Sequence, residues 1–341
     1  MLFTKPLIHS TRVSFIIRGY STAIKPNIKL LSKLRQETEV SMTKAKEALV
    51  KNNNDYDLAL AWLQEDALVS GAKKAAKVAN RIAGEGLIST ASVNMRSTIV
   101  ELNCETDFVS RNSVFKNLAS RIAATSLLMH EPTNLERAIE TIPIDSLLKS
   151  PLMPEATTTE TGTTSTNIDD DEDLGKTVEE MIVKTIGILG ENITLRRAAV
   201  VNKGISASYL HGGDQSTGKI GGVAVLKVNG NTNPEQSEVI HKTARQIARQ
   251  VVGFHPKYLN EQDIPLDDEE SQNSIKDVVL NQQGYMMNPS QTVEEYVKSV
   301  AEEQGIQGGA QVIDFIRWEA GENIEKKVNN FTEEVMKAAK L

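Results

Sequence analysis

The residue pairs Val239/Ile240, Thr243/Ala244, Ile247/Ala248 and Val251/Val252 recur at a step of four. Only an α-helix stacks positions four apart on one face, so this stretch is one long helix with a continuous surface to bury. Its opposite face carries His241, Lys242, Arg245 and Arg249, so the helix lies on a core rather than inside one. The flanking segments say what it lies on. Ile205–Leu210 and Val223–Val228 read as strands before it, and Val312–Trp318 as a strand after it. The same order occurs earlier. Leu87–Thr90 and Thr98–Cys104 read as a hairpin. A helix follows, with Phe115, Leu118, Ala119, Ile122 and Ala123 on one face and Ser113 as its N-cap. A helix around Met181–Val183 stops near Gly187 or Gly190, and Ile193–Val200 reads as a strand. Hairpin, helix and strand thus appear twice, which predicts an α+β core of two related halves, over 78–200 and 201–320. The tetrapeptide Gly-Glu-Asn-Ile, at 190–193 and again at 321–324, points the same way.

Three further regions frame this core. Residues 27–75 read as a small module of three short helices, resembling ubiquitin-associated domains. Leu30, Leu31 and Leu34 share one helical face, Ser41 caps a second helix, and Leu58, Ala59, Trp62 and Leu63 mark a third. Trp62 is read as core. A C-terminal helix is expected over 321–341. Residues 151–176 are Thr-rich and then acidic, with too few apolar groups to offset ordering entropy, and are read as a disordered insertion.

The first 36 residues contain seven basic side chains and no acid, interspersed with Ser, Thr and apolar residues. That composition predicts a mitochondrial transit peptide over 1–20 and a mature protein in the mitochondrial matrix. Losing Lys5, Arg12 and Arg18 and no acid moves the formal charge from −7 to −10. An acidic chain with no basic block is a poor nucleic-acid binder, because phosphate neutralisation supplies most of that affinity. No apolar run approaches the ~20 residues of a membrane span.

Chemistry-bearing motifs are few. Gly213–Ile220, "GDQSTGKI", nearly spells a phosphate-binding loop, but Ile220 replaces the metal-binding hydroxyl and a strand follows where a helix is needed. It reads as a flexible hairpin between strands, and no nucleotide, cofactor or metal is assigned to the chain. The five histidines lack metal-ligand spacing. Cys104 has no sequence signature of a nucleophile and reads as a small strand residue, leaving an acyl-transfer or hydrolytic enzyme as a minor alternative. One loop is unusual: "NCETDFVSRN" sets Asp107 beside consecutive Phe108 and Val109. From the residues alone, Phe108 is expected to tuck back against the helix containing Phe115.

That loop resembles the signature loop of the elongation factor Ts family, the guanine-nucleotide exchange factors of elongation factor Tu. Other segments match in order: "KLRQETEVSMTKAKEALVKNNNDYDLALAWL", "GAKKAAKVANRIAGEGLI", "GENITLRRA", "SYLHGG" with "GKIGGVAVL", "GYMMNPSQTVEEYV" and "FIRWEAGENIEKKV". The resemblance implies that Thr106, Asp107, Phe108 and Val109 enter the partner's nucleotide domain near its Mg²⁺ and phosphates. It implies further contacts at Met42, His211 and Gly222. The implied partner is mitochondrial elongation factor Tu in a 1:1 complex, with no bond chemistry performed by this chain. The chain departs from the family pattern in its first module, where Met42 stands and Thr43 replaces a second Met. Asn260–Lys276 is too short for a bacterial-type coiled-coil hairpin. The alternative reading, from the helical module alone, is a ubiquitin-associated-type adaptor.

Overall fold

The computed structural model describes residues 24–134, 136–154, 157–158, 164–165 and 173–325. The predicted transit peptide therefore lies outside the described residues. So do most of the insertion and, beyond Glu325, the segment expected as a C-terminal helix.

Three helices open the chain: α1 (Ile28–Thr38), α2 (Met42–Lys51) and α3 (Tyr56–Val78). Ser41 caps α2 by accepting from the Lys44 N–H, and Asp55 caps α3 by accepting from the Leu58 N–H. Leu31, Leu34, Ala45, Ala48, Leu49, Ala59 and Leu63 form their shared core. The third helix is not short. Its second half runs beyond the bundle and packs on the core. Trp62 is half-buried at the bundle's edge, with the ammonium groups of Lys44 and Lys51 4.6 and 4.3 Å from its ring centre.

Next come β1 (Glu85–Val93), β2 (Arg96–Cys104), a one-turn helix α4 (Asp107–Ser110), α5 (Ser113–Met129), β3 (Ile139–Thr141), α6 (Ile144–Lys149), α7 (Val178–Leu189) and β4 (Thr194–Val201). Asn112, not Ser113, caps α5, accepting from the Val114 and Phe115 N–H groups. The second half holds β5 (Ile205–His211), β6 (Thr217–Gly218), β7 (Ile220–Val228), α8 (Pro234–Phe254), α9 (Val293–Glu303) and β8 (Ala310–Glu319). The five-stranded sheet has the order β3-β4-β2-β1-β6 and the three-stranded one β8-β7-β5, beside two small two-stranded ribbons.

The two halves share a topology. In each, an antiparallel hairpin is followed by helices and then by a strand pairing with the hairpin's second strand, β4 on β2 and β8 on β7. Each closing strand carries a one-residue bulge, at Arg196 and at Ile313. The helix before each closing strand begins with the same sequence. Thr177-Val-Glu-Glu180 opens α7 and Thr292-Val-Glu-Glu295 opens α9, each as a complete capping box. The repeated Gly-Glu-Asn-Ile, by contrast, precedes β4 but follows β8, so it does not mark equivalent positions.

The halves stack sheet on sheet. Ile88, Ile99, Ala199, Val201, Val223 and Val225 form the layer between the sheets. Alternate residues of the same strands face outward under helices. Val100, Leu102 and Cys104 meet Phe115, Leu118 and Ile122 of α5, and Met181, Ile182 and Ile186 of α7. Ala207, Ala224 and Leu226 meet Ile240, Ala244, Ile247 and Val251 of α8, the face expected from its step of four. No described helix is long and apolar enough to cross a membrane.

Candidate partner-binding site

The strand β2 delivers the chain from the middle of a sheet to its end at Cys104, and after Glu105 and Thr106 α4 begins. Thr106 is the N-cap, its side chain accepting from the Val109 N–H at 3.4 Å. Consecutive side chains on a helix diverge by about 100°, so neighbours can face core and solvent. Val109 points inward and joins the core under α5, only 9% exposed. Phe108 points outward and is 80% exposed. The expected tucking of Phe108 against the helix of Phe115 does not occur, because Val109 already occupies the inward direction. Asp107 lies beside the exposed ring, paired with Arg111 at 2.7 Å one turn on. The turn thus presents a bare aromatic ring flanked by a carboxylate on a fully bonded base.

That base is held from behind. Glu191, just after α7, accepts from the Thr106 N–H at 3.0 Å and from the Thr106 hydroxyl at 2.6 Å. Glu105 accepts from the Asn192 N–H at 2.7 Å and meets Arg81 at 3.4 Å. The Cys104 thiol donates to the Thr106 carbonyl. Burial pushes that thiol up to about 12, with the nearby carboxylates of Glu191 and Glu85 acting in the same direction. It stays protonated at neutral pH, which removes the thiolate that a cysteine nucleophile requires. Sequence reasoning did not find Glu105 and Glu191, since acids in loops carry no signal until a donor is placed opposite them.

The near-phosphate-loop segment stands next to this turn. A cleft of about 350 Å³ separates them, lined by Asp107, Arg111, Lys116, Gly213 and Lys219 among others. Each base in it is matched to an acid: Arg111 to Asp107, Lys116 to Asp214 and Lys219 to Glu85. Lys219, which would contact phosphate in a true phosphate loop, donates to Glu85 at 2.8 Å. The segment joins the antiparallel strands β5 and β7, as the expected hairpin does, but it is tied down rather than loose. Thr217 and Gly218 add an edge strand beside Ile88 and Ser89, and Ser216 is bonded to Ser89, Thr90 and Ser120. Asp214 caps the turn. Burial works against its charged form, but hydrogen bonds from Ser216, Thr217 and Lys116 outweigh it and hold the carboxyl at about 2.

The remaining candidate contacts fall in different settings. Met42 is exposed at the start of α2, and His211 is exposed at the end of β5. Gly222 is a correction: it is buried in β7 under α8. A Cβ there would stand 2.8 Å from the Ala248 carbonyl oxygen, so it is a close-packing residue with no surface to offer. Among the described residues no group of three or more His, Cys, Asp or Glu could hold a metal ion.

The family model described as "Elongation factor TS" matches residues 105–276. The chain is 36% identical to the mitochondrial elongation factor Ts of Laccaria bicolor, covering 92% of this chain and 97% of the relative. It is 35% identical to that of Coprinopsis cinerea, covering 93% and 98%. It is 32% identical to that of Heterostelium pallidum, covering 94% and 86%. The chain belongs to the elongation factor Ts family. It is a translation elongation factor, and the adaptor reading drawn from the helical module alone gives way to that. The designation of these relatives and the acid-free first 36 residues both assign it to the mitochondrion. The Elongation factor TS match begins at Glu105, two residues before the exposed turn.

Proposed function

We propose that this chain binds mitochondrial elongation factor Tu in a 1:1 complex and promotes release of its GDP, acting by binding rather than by bond chemistry. The observation that carries the reading is Phe108, a large apolar side chain 80% exposed on a turn whose base is buried and bonded. Leaving a phenyl ring in water forgoes about 2 kcal/mol of transfer free energy, recovered only when a partner covers it. Asp107 beside it sets a negative charge where it would compete with a phosphate for the partner's cations. Wedging the ring into the nucleotide domain would disturb the Mg²⁺ shell. Without Mg²⁺ the GDP phosphates lose their main neutraliser. Factor and GDP then weaken each other reciprocally, tenfold for each ~1.4 kcal/mol of coupling. Thr106 and Val109 fix the turn, while Met42 and His211 are exposed for wider contact.

The test is release of a fluorescent GDP analogue from mitochondrial elongation factor Tu. The chain lacking residues 1–20 is expected to accelerate release. Phe108→Ala is expected to lose at least tenfold of that acceleration, with unchanged thermal stability because the ring contributes no packing to the free fold. No acceleration by the folded parent would sink the reading. Full acceleration by Phe108→Ala would move the effect elsewhere on the surface.

A further inference from the structure

We propose that Glu191 is the positioning residue of the Asp107–Ser110 turn, an inference that rests on the exchange reading above. The turn is only four residues long, too short to hold its own conformation by internal hydrogen bonds. Phe108 is too exposed for packing alone to aim it. Its direction is therefore set at the base, by Thr106 and by the burial of Val109. Thr106 is set in turn by Glu191. Gly190 ends α7 in the left-handed region, with φ of 81°, and swings the next residue out of the helix. The carboxylate of Glu191 then receives both polar hydrogens of Thr106, on the backbone nitrogen and on the hydroxyl. With the hydroxyl hydrogen directed to Glu191, its oxygen lone pairs are left to accept the Val109 N–H.

A return link makes the arrangement reciprocal. Glu105, the residue before Thr106, accepts from the N–H of Asn192, the residue after Glu191. The Asn192 side chain donates to the Arg81 carbonyl at 2.7 Å, tying the same point to the chain leaving α3. Two loops from distant parts of the sequence thus grip one another through two carboxylates. Charge-assisted hydrogen bonds are the strong kind, so removing Glu191 leaves the N-cap without the contact that orients it.

The test uses Glu191→Ala and Glu191→Gln in the chain lacking residues 1–20, alone and combined with Phe108→Ala. Glu191→Ala is expected to slow release of the GDP analogue about tenfold, the factor matching one lost charge-assisted bond. Glu191→Gln is expected to stay within about threefold of the parent, since its amide oxygen accepts the Thr106 N–H and its amide nitrogen can donate to the hydroxyl oxygen. Combined with Phe108→Ala, the Glu191→Ala loss should vanish, because a positioned group that is absent cannot be misplaced. In the free protein, amide hydrogen exchange at Thr106 and Val109 should accelerate in Glu191→Ala while β2 stays protected. Parent-like release by Glu191→Ala, the same tenfold loss on top of Phe108→Ala, or unchanged exchange at Thr106 would each overturn the inference. A parent that releases no GDP sinks the exchange reading and this inference with it. The free-protein exchange data then show separately whether the grip exists.

Discussion

Glu101 has no exposure to solvent, and its carboxylate serves five donor contacts. Arg196 reaches it at 3.0 Å, Arg197 at 2.5 Å, the Gly321 N–H at 2.8 Å and the Asn103 amide at 3.2 Å, with Arg196 touching both oxygens. The bulge explains how two consecutive arginines meet one acid. Glu101 pairs with Arg197 and Leu102 with Leu195, so Arg196 is the extra residue and turns to the same face. Gly321 follows β8, so this acid also joins the first half to the end of the second. Taking a carboxylate out of water costs several kcal/mol, and the paired guanidinium groups offset that cost only while all partners remain. Glu101→Ala is expected to lower stability by about 3–5 kcal/mol, because it leaves two half-buried cations facing an empty site. Urea denaturation measures this. A loss below about 1 kcal/mol would mean that water reaches the arginines and that the cluster is not a clasp between halves. Asp214 gives a second residue-scale expectation, this one in pH. Its folded value of about 2 lies below the ordinary carboxylate value near 4. Its contribution is therefore present above pH ~4 and lost as pH falls through about 2. The Thr217 amide resonance should titrate with a midpoint near 2, and a midpoint near 4 would show that the cap does not form in solution.

Among the described helices, α3 and α7 meet most extensively. A Cβ on Gly187 would stand 2.6 Å from the Ala67 carbonyl oxygen, and one on Gly71 would stand 2.8 Å from that of Val183. Two effects oppose each other at Gly187. Alanine is favoured over glycine inside a helix by about 1 kcal/mol, but forcing extra volume against backbone costs about 1–3 kcal/mol. The clash is with a carbonyl rather than a flexible side chain, so overpacking wins, and Gly187→Ala is expected to loosen the α3–α7 contact. Such crossings are hard to read from sequence, where Gly187 looked only like a helix end. The core was legible where one side of an element meets solvent or a single layer, as with Ile240, Ala244, Ile247 and Val251. The strand β2 shows where that logic stops. Alternation puts Val100, Leu102 and Cys104 on one face, but the Glu101 and Asn103 face is also buried, under the second sheet. A polar stripe in a strand reads as solvated until another half of the molecule covers it. Gly222 entered only through the resemblance, and nothing in the residues around it says that α8 is the group that approaches it. In the site, the adjacency of Phe108 and Val109 was visible, while the supports at Glu105 and Glu191 were not.

At the scale of the whole molecule, the helical module and the core are joined by one continuous helix. A bundle of about 50 residues buries too little apolar surface to be more than marginally stable alone. Here α3 extends the bundle onto α7, with Ile188 of α7 packed against the bundle's core and Lys74 donating to the Gly187 carbonyl at 2.5 Å. The module therefore borrows stability from the core through the α3–α7 crossing. The two tryptophans report on the two parts separately: Trp62 stands in the module and Trp318 packs against the layer between the sheets. Unfolding by urea, followed in Trp62→Phe and Trp318→Phe variants, is expected to give coincident transitions in the otherwise unaltered chain. With Gly187→Ala added, the Trp62 transition should move to lower urea while the Trp318 transition shifts less, since only the module depends on that contact. Separate transitions already in the unaltered chain would show that the module stands alone. Equal shifts of both probes would show instead that the crossing belongs to a single cooperative core, so that disturbing α7 reaches the sheets and the Phe108 turn together.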